Sequence, residues 1–169
     1  MRESLKALKQ IVGTKPITAI EIGVLQGENA MDIYNNFTID KLYLVDGWMK
    51  KYTDNAIDNL SITADLFDKY IKKVTIIKAL SPAVADIFPC DYFDYIYLDD
   101  NHNPDHVYSE LDTFMPLLKN GGMIAGHDWN DELPERVQQG VNKYCTEQCR
   151  EVNFKQNENE AVGDWWIIK

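Results

Sequence analysis

The sequence is short of positive charge: 17 Lys and Arg stand against 27 Asp and Glu, for a formal net charge of −10. A nucleic-acid coat or an anionic membrane surface needs a basic face, so neither partner is expected. A small anionic substrate stays open, because it needs only one local positive site. No apolar run approaches the roughly 20 residues that span a bilayer. The first residues lead into an amphipathic stretch (Leu5, Leu8, Ile11, Val12) and not into a signal-peptide core. Cysteine is scarce. Cys90, Cys145 and Cys149 are odd in number and form no Cys-x-x-Cys pair, which argues against oxidising secretion and makes the cytoplasm the expected compartment. No internal repeat or linker-like stretch interrupts the chain.

What is present is enough to build a core. With 169 residues, 45% apolar and 11% aromatic, the chain is read as a single domain over 1–169, with an N-terminal helix in 1–16 and the core in 17–169. Strand and helix patterns alternate from end to end. Strands are predicted over 18–22, 41–45, 74–78, 93–98 and 122–126, and helices over 28–36, within 53–72, and over 83–88, 104–118 and 135–149. Ser81-Pro82 reads as an N-cap with proline at the first helical position. Two last strands, 151–155 and 164–169, flank a polar hairpin loop at 156–163. Five βα units and a terminal hairpin predict an α/β three-layer sandwich around a mostly parallel sheet. Ligands of such sheets sit at the carboxyl ends of the strands.

The first strand runs into Glu21-Ile22-Gly23-Val24-Leu25-Gln26-Gly27-Glu28. Two glycines four apart permit a sharp turn and close backbone approach to a ligand, ahead of a helix N-terminus. The spacing is neither Gly-x-Gly-x-x-Gly nor a P-loop, so dinucleotide and nucleoside-triphosphate fingerprints are missing. Asp46 ends the second strand, about twenty residues on, where a carboxylate can accept ribose hydroxyls. Trp48 beside it could cover an adenine face. The densest polar clusters follow the fourth and fifth apolar strands: Asp99-Asp100-Asn101-His102, and His127-Asp128-Trp129-Asn130-Asp131. Adjacent parallel strands would bring Asp99 and Asp128 together, and two close carboxylates call for a cation or proton between them. Oxygen ligands suit Mg²⁺ or Mn²⁺, with His127 as a nitrogen ligand or an orienting group. His102 is available as a general base. Pro104 opens a helix between His102 and His106, which weighs against a His-x-x-x-His metal pair. Cys145, Cys149, Trp165 and Trp166 read as packing residues.

Glu21-Ile22-Gly23…Gly27, Val45-Asp46-Gly47-Trp48, Tyr95–Asp99…His102 and Pro116–Trp129 together resemble the class I S-adenosylmethionine-dependent methyltransferases. Within them the sequence is similar to the small-molecule and sugar O-methyltransferases that carry D-x-x-H…L-L-K-x-G-G…G-H-D. The resemblance covers roughly residues 17–169. It implies a seven-stranded Rossmann-like sheet of order 3-2-1-4-5-7-6 with strand 7 antiparallel. It also implies S-adenosylmethionine held by Glu21, Gly23, Gly27, Asp46, Trp48, Ser81 and Asp99, with Ser81 near the adenine. A divalent metal would fall to Asp99, His127 and Asp128, although His127 stands where relatives often carry a carboxylate. Pro104 replaces an aromatic and Glu110 an aspartate of the family pattern.

The implied reaction is methyl transfer to a hydroxyl of a sugar, glycan or other small molecule, assisted by His102 with Asp99, by a metal, or by both. Only about seventeen residues precede the first strand, where relatives carry a longer region over the acceptor, so a second copy, the Trp48–Lys73 segment or a further domain of a larger polypeptide is expected to complete the acceptor pocket. Three other readings compete. A nicotinamide oxidoreductase lacks its glycines and any Tyr-x-x-x-Lys. A methyltransferase acting on nucleic acid or protein would share the cofactor site, but the amino-group tetrad is missing. A catalytically silent cofactor-binding protein would have lost the acceptor-side groups that remain here.

Overall fold

The computed structural model describes residues 1–49, 55–130, 137–158 and 162–169. Residues 53–54 of the stretch within which a helix is predicted, the start of the helix at 135, Asp131 and part of the 156–163 loop lie outside the described residues. In chain order the elements are α1 (Glu3–Val12), β1 (Ile17–Ile22), α2 (Glu28–Asn36), β2 (Ile39–Asp46), α3 (Ala56–Phe67), β3 (Val74–Lys78) and α4 (Ser81–Ala85). They continue with β4 (Phe93–Leu98), α5 (Pro104–Phe114), β5 (Leu118–Trp129), α6 (Val137–Glu147), β6 (Asn153–Gln156) and β7 (Gly163–Ile168).

All seven strands join one sheet in the order β3-β2-β1-β4-β5-β7-β6. Strands β1 to β5 pair in parallel, and β7 runs antiparallel to both β5 and β6. This is the expected Rossmann-like sheet. Its central strands are buried on both faces, as continuous apolar runs require. Because side chains alternate, Ile20, Ile22, Ile96, Leu98 and Ile124 pack against α4, α5 and α6. Ala19, Leu42, Leu44, Tyr95, Tyr97 and Met123 pack on the other side, under α1, α2 and α3.

Several boundaries differ from the sequence reading, each for a local reason. The helix predicted to reach residue 118 ends at Phe114, because Pro116 lacks an amide N–H and the chain tightens into a 3₁₀ turn over Met115–Leu117. The Asn120-Gly121-Gly122 turn lies inside β5, where the register slips between Phe93 and Tyr95 and Gly121 takes φ +77. It is a bulge in a long strand. Ser81 is the first helical residue of α4 and not its cap, which falls on Leu80, and α4 stops at Ala85. Trp165 is a core residue and Trp166 packs partly buried on the opposite face. Cys145 is buried as expected, but Cys149 is exposed. Among the described residues, no helix is long and apolar enough to cross a membrane.

The first turn of α1 is capped from the far end of the chain. Asn157 Oδ1 accepts from the Glu3 amide at 2.9 Å and Asp164 Oδ2 from the Ser4 amide at 3.0 Å. Those amides have no partner within the helix, so β7 and the residues before it lock α1 onto the sheet.

At the edge of β5, Gly126 lies against Trp165. A Cβ there would fall 2.5 Å from the indole and 2.6 Å from the Leu98 carbonyl oxygen. Gly126→Ala is therefore expected to lower stability by about 1–3 kcal/mol through overpacking. Urea unfolding should show a lower midpoint at unchanged slope; an unchanged midpoint would contradict it.

Candidate active site

The carboxyl ends of β1, β2, β4 and β5 converge on one edge of the sheet, and the chain turns there are tight. The Gly23 amide donates to the Val45 carbonyl at 2.9 Å, and the Asp99 amide to the Ile22 carbonyl at 2.8 Å. Gly23 has φ +85, and a Cβ on it would stand 2.2 Å from the Asp99 carbonyl oxygen. Glycine is thus required at 23 by the crossing of two chain segments, before any ligand is considered. Gly27, also at φ +85, caps α2.

Asp46 holds this turn in place. Its Oδ2 accepts from the Val24 and Leu25 amides, each at 3.0 Å, and its Oδ1 from the Trp48 amide at 2.7 Å. Three of roughly four lone-pair directions are used, leaving about one for an outside donor. Trp48 is not a platform for adenine. It is 3% exposed and packs in the core with φ +38, and its indole N–H donates to the Leu25 carbonyl at 2.8 Å. The ring supports the turn from beneath. Ser81 is buried, with a hydroxyl that has no hydrogen-bond partner.

Glu21, the penultimate residue of β1, is 1% exposed. Its Oε1 accepts from Asn29 Nδ2 at 3.2 Å, while Oε2 has no partner. Burial pushes its carboxyl up from 4.5 to about 8, against the pull of the Asn29 hydrogen bond. The side chain therefore holds a proton at neutral pH.

On the acceptor side the structure brings together Asp99, His102 and Asp128. His102 Nε2 lies 3.1 Å from Asp128 Oδ2 and 3.7 Å from Asp99 Oδ1. Asp128 adopts φ +60, a left-handed conformation uncommon outside glycine and found at functional sites. His127 does not join this cluster as a third ligand. Its Nδ1 is engaged instead with Asp164 Oδ1, 3.0 Å away. The cation donor set expected from sequence, Asp99-His127-Asp128, is therefore corrected to Asp99-His102-Asp128, whose ligand atoms all lie within 4.8 Å of one another. The reason is the alternation of β5, which sends consecutive side chains to opposite faces.

Asp164, fully buried, had no signal in the sequence. Burial alone would raise its pKa, but hydrogen bonds from His127, Ser4 and Asn157 hold it below the usual carboxylate range. An ionised carboxylate only accepts, so the His127 proton sits on Nδ1. Arg2 was likewise missed. Its guanidinium lies 3.6 Å from Asp164 and 4.0 Å from Asp99, over the Tyr97 ring. Asn103 could have been found: its Oδ1 accepts from the Asp105 and His106 amides at 3.0 and 3.3 Å, the cap announced by Asn-Pro. That cap starts α5 after His102 and turns His106 away from it, towards Asp100 and Glu110. No His-x-x-x-His pair forms.

A seven-stranded sheet with a glycine turn after β1, an acid after β2 and a polar cluster after β4 and β5 defines the Rossmann-like methyltransferase class. The family described as "Methyltransferase domain" matches residues 20–129, and the chain belongs to it. It is an S-adenosylmethionine-dependent methyltransferase. No curated protein matches the sequence. Among solved structures it is similar to an O-methyltransferase from Bacillus cereus in complex with SAH, at 15% identity and TM-score 0.69, covering 98% of this chain and 79% of that one. A precorrin-6y C5,15-methyltransferase from Geobacter metallireducens is similar at 13% identity and TM-score 0.70, with 98% and 86% covered. A candidate rRNA methylase from Clostridium thermocellum is similar at 15% identity and TM-score 0.68, with 100% and 98% covered.

The buried proton on Glu21 has a consequence for stability. Between 4.5 and about 8 the unfolded chain gives up a proton that the folded protein keeps. Glu21 therefore withdraws stability as pH rises through that window. Glu21→Gln should remove this dependence, so that its melting temperature falls less than wild type's between about pH 5 and pH 8. Parallel slopes in thermal melts would contradict it.

Proposed function

We propose that this enzyme is an O-methyltransferase acting on a hydroxyl of a sugar, glycan or other small molecule. The observation that carries this reading is the position of His102. Its Nε2 stands between the Asp99 and Asp128 carboxylates, beside the turn that holds Gly23. A hydroxyl oxygen is a poor nucleophile until its proton is taken, and a neutral imidazole nitrogen can take it. The flanking carboxylates would stabilise the imidazolium that forms, and Asp128 fixes the ring's direction.

The residues present fit the cofactor, which when bound supplies an electrophilic methyl group on a cationic sulfur. Gly23 and Gly27 let the turn after β1 fold tightly into the α2 N-terminus, Asp46 keeps an accepting direction, and Glu21 presents an orphaned buried oxygen. Ser81 offers a hydroxyl with no partner of its own. Trp48 is withdrawn from the set. In-line transfer needs the hydroxyl oxygen and the methyl group held in line at close range, so positioning carries much of the rate.

A cation at Asp99, His102 and Asp128 is the second reading, favoured by the gathering of three ligand atoms. One nitrogen among the donors suits Mn²⁺ better than Mg²⁺. His102 cannot serve as base and ligand at once, so the two readings separate by experiment. The net charge of −10 supports a small acceptor over nucleic acid, and three free thiols fit a cytoplasmic setting. A second copy of the chain or an adjoining domain would close the acceptor side.

Calorimetric titration with S-adenosylhomocysteine is expected to give micromolar binding that Asp46→Ala loses. In an acceptor screen, His102→Ala should lower kcat by about 10²–10⁴-fold. Activity surviving EDTA supports the base. Activity lost to EDTA and restored by Mn²⁺ supports the cation. Transfer to a nitrogen acceptor, with no hydroxyl methylated, would overturn the proposal.

A further inference from the structure

A second cluster lies one step along the β4 loop from His102, made of residues that the methyltransferase reading does not use. Asp100 comes from the loop, and His106 and Glu110 stand one turn apart on α5, facing the same way. His106 Nε2 is 3.2 Å from Asp100 Oδ1 and 3.4 Å from Glu110 Oε1. Glu110 is 4% exposed, and neither its Oε1 nor His106 Nε2 makes a hydrogen bond. Two buried polar atoms thus face each other at contact range, with their ordinary bonding unmet.

A hydrogen-bonded ion pair accounts for this poorly. One N–H can point at a single acceptor, and here it is aligned with neither oxygen. A metal ion has no such restriction. Bonds of about 2.0–2.2 Å place neighbouring ligand atoms about 3.0 Å apart in an octahedral site and about 3.4 Å apart in a tetrahedral one. The two measured separations fall in that interval. The electrostatics agree: burial and the Glu110 charge push the Asp100 carboxyl up to about 6, and the Glu110 carboxylate raises His106. A divalent cation would relieve the crowding of the two carboxylates. Asp100 and His106 are about a quarter exposed, at 24% and 28% of the side chain, so an ion can enter from solvent.

We propose that Asp100, His106 and Glu110 form a binding site for a divalent transition-metal ion of the Zn²⁺ or Mn²⁺ class, separate from the Asp99-His102-Asp128 cluster. One imidazole and two carboxylates are a donor set of that class. The ion would complete its shell with water on the open side. It would tie the loop after β4 to the first turns of α5, and so hold the segment that carries His102. The site stands on its own residues, whatever the acceptor of the enzyme turns out to be.

The test is calorimetric titration of metal-free protein with Zn²⁺, repeated with Co²⁺ and followed by visible absorption. Wild type is expected to bind an equivalent of Zn²⁺ with micromolar or tighter affinity and to show Co²⁺ d–d bands. His106→Gln and Glu110→Gln should each weaken that equivalent by about 100-fold or more, since even outer-shell partners of a metal are worth about 10–100-fold. Asp128→Asn should leave it in place. At 100 times the dissociation constant, Zn²⁺ should raise the wild-type melting temperature by about 5–10 °C and that of His106→Gln far less. Metal-free melts of the variants check that they fold. Absence of micromolar Zn²⁺ binding would overturn the proposal, as would binding lost in Asp128→Asn but kept in His106→Gln and Glu110→Gln.

Discussion

The structure depends on how it accommodates carboxylates that a parallel sheet gathers at one edge. Every parallel strand brings its carboxyl end to the same side, so Glu21, Asp46, Asp99 and Asp128 converge from the ends of four strands and cannot all stay ionised without partners. Each is handled differently. Glu21 keeps its proton, and Asp46 accepts three backbone amides. Asp99 and Asp128 share His102, and Arg2 adds a positive charge within 4.0 Å of Asp99. In a chain of net charge −10, those few imidazoles, one guanidinium and the backbone amides decide where negative charge can persist.

The same economy joins the ends of the chain to the site. Asp164, on the antiparallel β7, accepts from the first turn of α1 and from His127 at the end of β5. One buried carboxylate therefore links the N-terminal helix, the last strand and the strand that carries Asp128. Its cost of burial is offset by the hydrogen bonds it receives, and removing any one of them would leave charge exposed to a low-dielectric interior. The arrangement stiffens the edge on which a reacting group must be held.

Glycine and proline act as geometric constraints around this edge. Gly23 lets the turn after β1 pass over the Asp99 carbonyl, and Gly126 makes room for the Trp165 ring. Pro104 and Pro116 bracket α5, so that His102 stays in the loop before the helix and β5 can begin at Leu118. Such constraints are local, and most of them could be read in advance. Chemistry between side chains is another matter, because it arises where separate segments meet.

The parallel strands, the terminal hairpin and the meeting of Asp99 with Asp128 follow from apolar runs and turn residues, because period and punctuation are written along the chain, whereas the strand order comes only with the family resemblance. The family resemblance lay in the same strand-end motifs. The start of β5 is not legible in the sequence, since Asn120-Gly121-Gly122 looks the same whether it precedes a strand or bulges within one. Neither the burial of Trp48 nor the bond of Asp164 to Ser4, more than a hundred residues away, leaves a local pattern in the sequence. Only the tertiary structure decided that His102 and not His127 stands between the two carboxylates, that Arg2 approaches Asp99, and that Asp100, His106 and Glu110 face one another. Those outcomes depend on which face of a strand each side chain takes and on which distant segments close over it, and packing alone settles that.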